Sequence, residues 1–200
     1  MNKNEELLKL KSQMLKDEKL PLKKGATNLV FGVGNPDTKI LFIGEGPGYW
    51  EDQKAEPFVG NAGKLLNQLL QLIELKREDV YITNVVHHRP PDNRDPLPEE
   101  IEAYKPYLDK IIEVIDPKVI VTLGRFSLGK FLPGVKITSV HGKIHEVNWM
   151  GKEKIIMPMY HPAAALRNPE VMRQIRDDFQ KLPEILKEAN KVDVKQMQLV

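Results

Sequence analysis

The sequence predicts an α/β fold: a three-layer α/β/α domain around a central, mainly parallel four-stranded sheet. Apolar runs of strand length alternate with amphipathic stretches of helical length, which is typical of a parallel sheet covered by helices on both faces. The four apolar runs are residues 39–43, 79–86, 118–124 and 154–160. Several of them lead directly into loops rich in glycine, proline or polar residues, as strands do when their ends carry a binding site.

Length and composition restrict the possibilities further. The 200 residues predict one domain, residues 1–200, large enough to bury a core without metal or disulfide support. Hydrophobic residues make up 41% of the chain and charged residues 29%, and cysteine is absent. Disulfides and cysteine-held metal clusters are therefore excluded. The net charge of +2 neither favours nor excludes DNA as a partner. Without a signal peptide or an apolar run of spanning length, we expect a cytoplasmic protein.

The elements of the first half follow from periodicity. Residues 1–29 hold a short helix, residues 5–15, and a charged connection. A turn at 32–37 precedes the first core strand, 39–43, which opens into a long glycine-rich loop. Residues 62–74 form an amphipathic helix with leucines on one face, and 79–86 form the second strand.

The second half continues the alternation. A helix over 98–115 starts with Pro and two Glu, as helix N-termini prefer, and Pro106 should kink it. The third strand, 118–124, leads into a short helix, and 139–150 with 153–158 predict a hairpin. A final helix over 169–182 is expected to be interrupted at Pro183. The tail, 190–200, is expected to be frayed.

The loop after the first strand carries the strongest chemical signal. Gly44, Gly46 and the nearby Gly48 permit close approach of a ligand to the backbone, and Glu45 stands at the carboxyl end of the strand. Phe58, a large ring in the same loop, adds a flat apolar surface. Together they suggest a pocket for a planar ring. A structural turn, an acid that only holds the loop and a core phenylalanine remain alternatives.

Two further strand ends add an amide and an imidazole. Asn84 lies near the end of the second strand, and His161 follows the last one. An amide donates and accepts at once, which suits a ligand with a carbonyl next to an N–H. From the residues alone, a capping asparagine and a structural histidine remain open.

In this order and spacing, the three motifs resemble the uracil-DNA glycosylase superfamily, most closely its family four, over about residues 30–179. The resemblance implies the uracil-DNA glycosylase fold and an enzyme that flips a base out of DNA. It assigns Phe58 to the pocket floor, Asn84 to the base edge and His161 to the departing uracil anion. Glu45 becomes the partner of the attacking water, since Gly46 stands where family-one proteins have aspartate. Gly44 and Gly46 line the substrate side of the loop.

DNA contacts are expected in loops and at helix starts, where basic residues and backbone N–H groups would bind phosphates. Leu166 is a candidate wedge into the base stack. The full set of candidates is Arg89, Pro90, Pro91, Arg125, His141, Gly142, Lys143, Pro162, Leu166 and Arg167. Solvated surface charge is the alternative for each basic residue.

The chain departs from the family at its iron–sulfur cluster, which family-four proteins hold with four cysteines. Those positions correspond here to His88 and Tyr104, and roughly to Asp17 and Leu20. This set cannot rebuild the cluster, so no cofactor is expected. Zinc at His87 and His88 with Asp17 is a weak alternative, since neighbouring residues of an extended chain face opposite ways.

The sequence thus predicts a monofunctional uracil-DNA glycosylase for base excision repair, acting as a monomer on single- or double-stranded DNA without an obligate protein or membrane partner. Alternatives are a glycosylase for another deaminated base, or a non-catalytic or covalent binder of uracil-DNA or single strands. A related group traps DNA covalently through a histidine in an inserted basic loop, which this chain lacks. Plain nucleotide binding is weaker still, because the loop at 44–48 lacks the Walker lysine and the full dinucleotide fingerprint.

Overall fold

A computed structural model describes residues 2–197, with side chains as far as Ala189. Its strands are β1 (Val33–Gly34), β2 (Ile40–Gly44), β3 (Tyr81–Asn84), β4 (Val119–Leu123), β5 (His145–Trp149) and β6 (Lys152–Met159). Its α-helices are α1 (Lys3–Lys16), α2 (Tyr49–Lys54), α3 (Asn61–Leu72), α4 (Pro98–Ile115), α5 (Arg125–Phe131), α6 (Ile137–Val140), α7 (Pro162–Ala165) and α8 (Pro169–Met197).

Within the described residues the strands form one sheet in the order β1-β3-β2-β4-β6-β5. The four central strands are parallel, as predicted. Two short edge strands, β1 and β5, pair antiparallel with β3 and β6, so the sheet has six strands rather than four. The prediction missed β1 because its two residues, Val33 and Gly34, are too few to show a strand periodicity and lie within a predicted turn.

Strand β2 shows how the two layers of helices are attached. Its side chains alternate between the faces of the sheet. Ile40 and Phe42 join the core cluster that includes buried residues of α3 and α8, whereas Leu41 and Ile43 join the cluster that includes buried residues of α1 and α4. Helices therefore cover both faces, which confirms the three-layer α/β/α prediction.

The last helix differs from its prediction. Pro183 lies inside α8, and the helix continues to Met197 instead of being interrupted. The apolar face explains this continuation, because Phe179 and Leu182 before the proline, and Ile185 and Ala189 after it, are all buried. Helix α4 likewise contains Pro106 and has the predicted bounds. The tail predicted to fray falls on residues whose side chains, and from 198 the backbone, lie outside the described part.

The sheet topology determines where a site can form. Strand β2 has β3 on one side and β4 on the other, so successive strands are added in opposite directions from β2 across the sheet. Ligands of open α/β sheets bind at the carboxyl ends of strands beside such a reversal. Over the described residues, none of the helices is long and apolar enough to span a membrane.

Candidate active site

A cleft of about 420 Å³ opens at the carboxyl ends of the parallel strands. Glu45 follows β2, Asn84 ends β3 and His161 follows β6, and all three side chains belong to its lining, with Phe58. The structure thus brings together the carboxylate, amide, imidazole and aromatic ring that the sequence predicted from separate loops. The wall also contains Gly46, Pro90 and Arg167 of the predicted set.

Two acids hold the loop between β2 and α3 in shape. Glu51 Oε1 accepts hydrogen bonds from the backbone N–H groups of Val59 (2.9 Å) and Gly60 (2.8 Å). The buried Asp52 accepts from Thr27 N (2.9 Å) and Asn28 N (3.0 Å). Carboxylates that accept several backbone donors fix loop geometry, so these acids position the loop that carries Phe58.

Phe58 occupies an unusual backbone position. Its φ is +54°, in the left-handed region that bulky residues rarely adopt. Its ring lies against the His161 ring, with centroids 5.6 Å apart and planes inclined by 31°. Gly63 makes this path possible, because a Cβ there would lie 1.8 Å from the Phe58 carbonyl oxygen. The strained turn therefore directs the ring to the floor of the cleft.

Asn84 lines the cleft and lies next to Gly44. A Cβ on Gly44 would fall 2.4 Å from Asn84 Oδ1 and 2.6 Å from the Phe58 ring, so only glycine admits both side chains. Asn84 is 1% exposed, and its Oδ1 has no hydrogen-bond partner among the described residues. A buried, unsatisfied amide oxygen that faces a cleft is a vacant acceptor for a ligand N–H.

His161 is oriented by the chain that follows it. Its Nδ1 accepts a hydrogen bond from Ala163 N–H at 3.1 Å. Burial lowers the pKa of the imidazole to about 4, an effect that the Glu51 carboxylate partly opposes. The ring is therefore neutral at pH 7, and with Nδ1 accepting, Nε2 carries the proton. Gly124 (φ +97°) allows the close approach, since a Cβ there would lie 3.2 Å from that of His161.

Glu45 is half-buried in an environment that raises its pKa. Burial is the main cause, the Asp95 carboxylate adds to it, and the Arg125 guanidinium opposes both. Asp95 and Arg125 form an ion pair with each other on the rim. A carboxylate with a raised pKa is a better proton acceptor than one with an ordinary pKa, so Glu45 is the candidate base beside the ring pocket.

Other predicted DNA contacts occupy different surroundings. Arg89 lies with its guanidinium 5.3 Å from the Tyr49 ring centroid, and Leu166 is exposed after α7. His141 Nδ1 pairs with Asp178 at 2.7 Å, and the exposed Lys143 donates to Ser139 O at 2.8 Å. The remaining four are Pro91, Gly142, Pro162 and Arg125. Pro91 is exposed before α4, and Gly142 lies beside Asp178. Pro162 is in the first turn of α7, and Arg125 is in its ion pair with Asp95.

Sequence reasoning missed part of the wall. Asn93, Arg94 and Asp95, in the loop before α4, line the cleft beside Pro90. Arg94 binds Glu100 through two hydrogen bonds, of 2.8 and 2.6 Å, which fixes this loop to α4. The charged residues between the prolines at 91 and 96 are visible in the sequence. The effect of the Asp95 charge on the pKa of Glu45 depends on the fold.

The region that would hold the family's cluster has a different chemistry. His88 Nδ1 and the Tyr104 hydroxyl form a 2.7 Å hydrogen bond, and both side chains are buried. Leu20 is a core residue packed in the same cluster as Tyr104. An imidazole, a phenol and an isobutyl group are not thiolate ligands, and the imidazole Nδ1 is already paired with the phenol. The residues present do not fit an iron–sulfur cluster.

The zinc and covalent alternatives gain no support from the geometry. Asp17 accepts from the Tyr107 hydroxyl at 2.7 Å, while His88 is engaged by Tyr104 and His87 Nε2 lies 3.2 Å from Thr83 Oγ1. Among the described residues no cluster of three His, Cys, Asp or Glu is arranged to bind a metal. His88 is buried outside the cleft wall formed by the described residues, so it is badly placed to attack DNA.

Comparison with known proteins agrees with this architecture. Residues 31–188 match the uracil DNA glycosylase superfamily. A type-4 uracil-DNA glycosylase of Archaeoglobus fulgidus is 47% identical over 178 residues, covering 86% of this chain and 89% of the relative. Those of Sulfurisphaera tokodaii (45% identical; 90% and 84% covered) and Thermotoga maritima (44%; 94% and 98%) are similarly close. With its three strand-end groups in one cleft and this similarity along most of its length, the chain belongs to the uracil-DNA glycosylase superfamily.

Proposed function

We propose that this protein is a monofunctional uracil-DNA glycosylase, which hydrolyses the N-glycosidic bond of flipped-out deoxyuridine and leaves an abasic site. The convergence of Glu45, Phe58, Asn84 and His161 on one cleft carries the proposal. Relatives of 44–47% identity named type-4 uracil-DNA glycosylases support it.

In the proposed complex, uracil enters between Phe58 and the amide of Asn84. Stacking on the ring face suits any planar base. The vacant Oδ1 of Asn84 accepts the N3–H of uracil, while the amide NH₂ donates to the adjacent carbonyl. Cytosine offers no N–H at N3, so the same amide would meet an acceptor and leave buried polar atoms unpaired. Such a mismatch gives strong discrimination.

The reaction needs charge stabilisation and a proton acceptor. As the C1′–N1 bond breaks, its electron pair moves onto the base, and Nε2–H of neutral His161 donates to the anionic carbonyl oxygen. Water attacks C1′ and transfers a proton to the Glu45 carboxylate, whose raised pKa favours this step. The uracil anion later takes up a proton from solvent. We assign phosphate contacts to the predicted basic residues, above all Arg89 and Arg167.

We also propose that the protein works without an iron–sulfur cluster. The His88–Tyr104 hydrogen bond and the packing of Leu20 and Tyr104 support this, because they fill the region with side chains that cannot bind iron as thiolates do. Purified protein should be colourless, without thiolate-to-iron absorbance near ~400 nm. Iron at one cluster per chain would refute this proposal.

The activity is tested with a labelled oligonucleotide that contains one uracil, incubated with protein and then split into two halves. Strand cleavage only in the alkali-treated half is expected, since a monofunctional glycosylase leaves an intact strand with an abasic site. An Asn84→Ala variant should lose excision while keeping its folded structure. An uncut strand in both halves would overturn the proposal, and oligonucleotides with hypoxanthine or xanthine would then identify another deaminated base. A denaturant-resistant shifted band would indicate covalent trapping instead.

A further inference from the structure

Two large aromatic side chains lie exposed beside the cleft. Tyr49 and Trp50, the first residues of α2, are 48% and 58% exposed. They directly follow Gly48 and precede Glu51, which both line the cleft. Exposed aromatic residues next to a binding cleft are candidates for ligand contact, because side chains that face solvent contribute little buried apolar area to the stability of the fold.

The pair has a defined geometry. The two rings are 5.1 Å apart between centroids and inclined by 79°, an edge-to-face contact. The Arg89 guanidinium lies over the Tyr49 ring at 5.3 Å, and Arg89 Nε donates to Asn93 Oδ1 at 2.7 Å. On the other side, Trp50 lies close to Gly60, where a Cβ would be 3.7 Å from its Cδ1. Contacts with Arg89 and with the Gly60 backbone therefore hold the two rings in place.

We propose that Tyr49 and Trp50 form a stacking ledge for an unpaired nucleobase next to the excised nucleotide. Base stacking on aromatic side chains is sequence-tolerant and strong enough to dominate single-strand binding. A strand whose uridine occupies the cleft passes its rim, so a neighbouring base would meet the Trp50 face. Arg89 beside the ledge brings positive charge to the phosphates there. This inference rests on the proposed function, because it uses the uracil-bound strand to place the neighbour.

The ledge predicts a preference between substrates. In a duplex, the neighbours of the flipped nucleotide remain paired and stacked, and they cannot turn onto the protein without losing those contacts. In a single strand, they are free to do so. The ledge should therefore favour uracil in single strands over uracil in matched duplexes.

The test compares two single-stranded oligonucleotides with one central uracil. In the first, normal nucleotides flank the uracil, and in the second, both neighbours are stable abasic spacers. Trp50→Ala should raise KM about tenfold on the first strand and leave KM on the second unchanged. Because the pocket is intact, kcat on the spacer strand should match that of the unaltered protein. Trp50→Phe should restore most of the loss, and Leu8→Ala, an exposed apolar residue of α1, serves as the control.

A binding readout separates the ledge from the activity. The chain has two tryptophans, so in a Trp149→Phe protein the fluorescence reports Trp50 alone. Titration with uracil-free strands containing one abasic analogue should quench that fluorescence, and less so when its neighbours are spacers. Equal quenching by both strands, or an equal rise of KM on both uracil strands in Trp50→Ala, would overturn the ledge. If excision were absent but quenching present, the proposed function would fail and the ledge would stand.

Discussion

Gly44 and Asn84 are in such close apposition that a single added carbon at 44 would lie 2.4 Å from the Asn84 amide oxygen. They face each other at the ends of paired strands, in register between β2 and β3. The space that glycine leaves is what allows a buried amide to face the cleft.

Gly44→Ala should reduce kcat/KM for uracil excision at least tenfold, since the new methyl group displaces Asn84 or the Phe58 ring from the pocket. The matched control is Gly129→Ala within α5, where the added carbon would have no described atom within 4 Å apart from its chain neighbours and its own helix backbone. That control should keep full activity and gain roughly 0.5–1 kcal/mol of stability from helix propensity. Unchanged excision by Gly44→Ala would show that the close packing has no role in the pocket.

His161→Ala should lower kcat by about 10²–10³-fold, the loss typical for one preorganised donor to a developing anion. KM should change less, because the donor matters most once charge has formed on the base. His145→Ala, on the edge strand β5, provides a histidine control away from the cleft. If the two variants had equal activity, His161 would not be the donor.

Asp95→Asn and Arg125→Ala should shift the acid limb of the pH profile in opposite directions. Asp95 raises the pKa of Glu45 and Arg125 lowers it. Removing the Asp95 charge should move the acid limb of kcat/KM to lower pH, whereas removing Arg125 should move it to higher pH. A limb that stays in place in both variants, and persists in Glu45→Gln, would belong to another group.

The protein should lose stability in acid through its buried histidines. Burial lowers the folded-state pKa of His161 and His88 to about 4 each, and that of His87 to about 3. Since the unfolded chain titrates near 6.5, it binds more protons than the folded chain between these values. Stability should be complete above about pH 6.5 and should fall progressively as the pH drops toward 4 and then 3. Thermal unfolding measured across this range checks it, and a Tm that is flat from pH 7 to 4 would contradict the burial of these rings.

Tyr104→Phe should destabilise the protein by about 1–3 kcal/mol without changing kcat. The phenol is fully buried and bonded to His88 at 2.7 Å, so its removal leaves the imidazole nitrogen unpaired. Denaturant unfolding measures the stability, and uracil excision at saturating substrate measures kcat. A large loss of activity at unchanged stability would instead link this pair to the reaction.

The sequence by itself determined the α/β class, the parallel arrangement of the four central strands and the identity of the side chains at the strand ends. Periodicity of apolar residues carries that information, because burial on a sheet or helix face imposes it locally. The same reasoning failed at Val33–Gly34, whose pairing with β3 is set by a distant partner, and at Pro183, where buried side chains on both sides of the proline keep the helix continuous.

Only the tertiary structure decided how these groups act together. The vacancy at Asn84 Oδ1, the Nδ1 contact that leaves the His161 proton on Nε2, and the influence of Asp95 on Glu45 all depend on distances between segments far apart in the chain. Electrostatic effects and unsatisfied hydrogen bonds depend on burial and separation in space. A sequence lists the groups, but the packing of the sheet and its loops fixes their protonation and their partners.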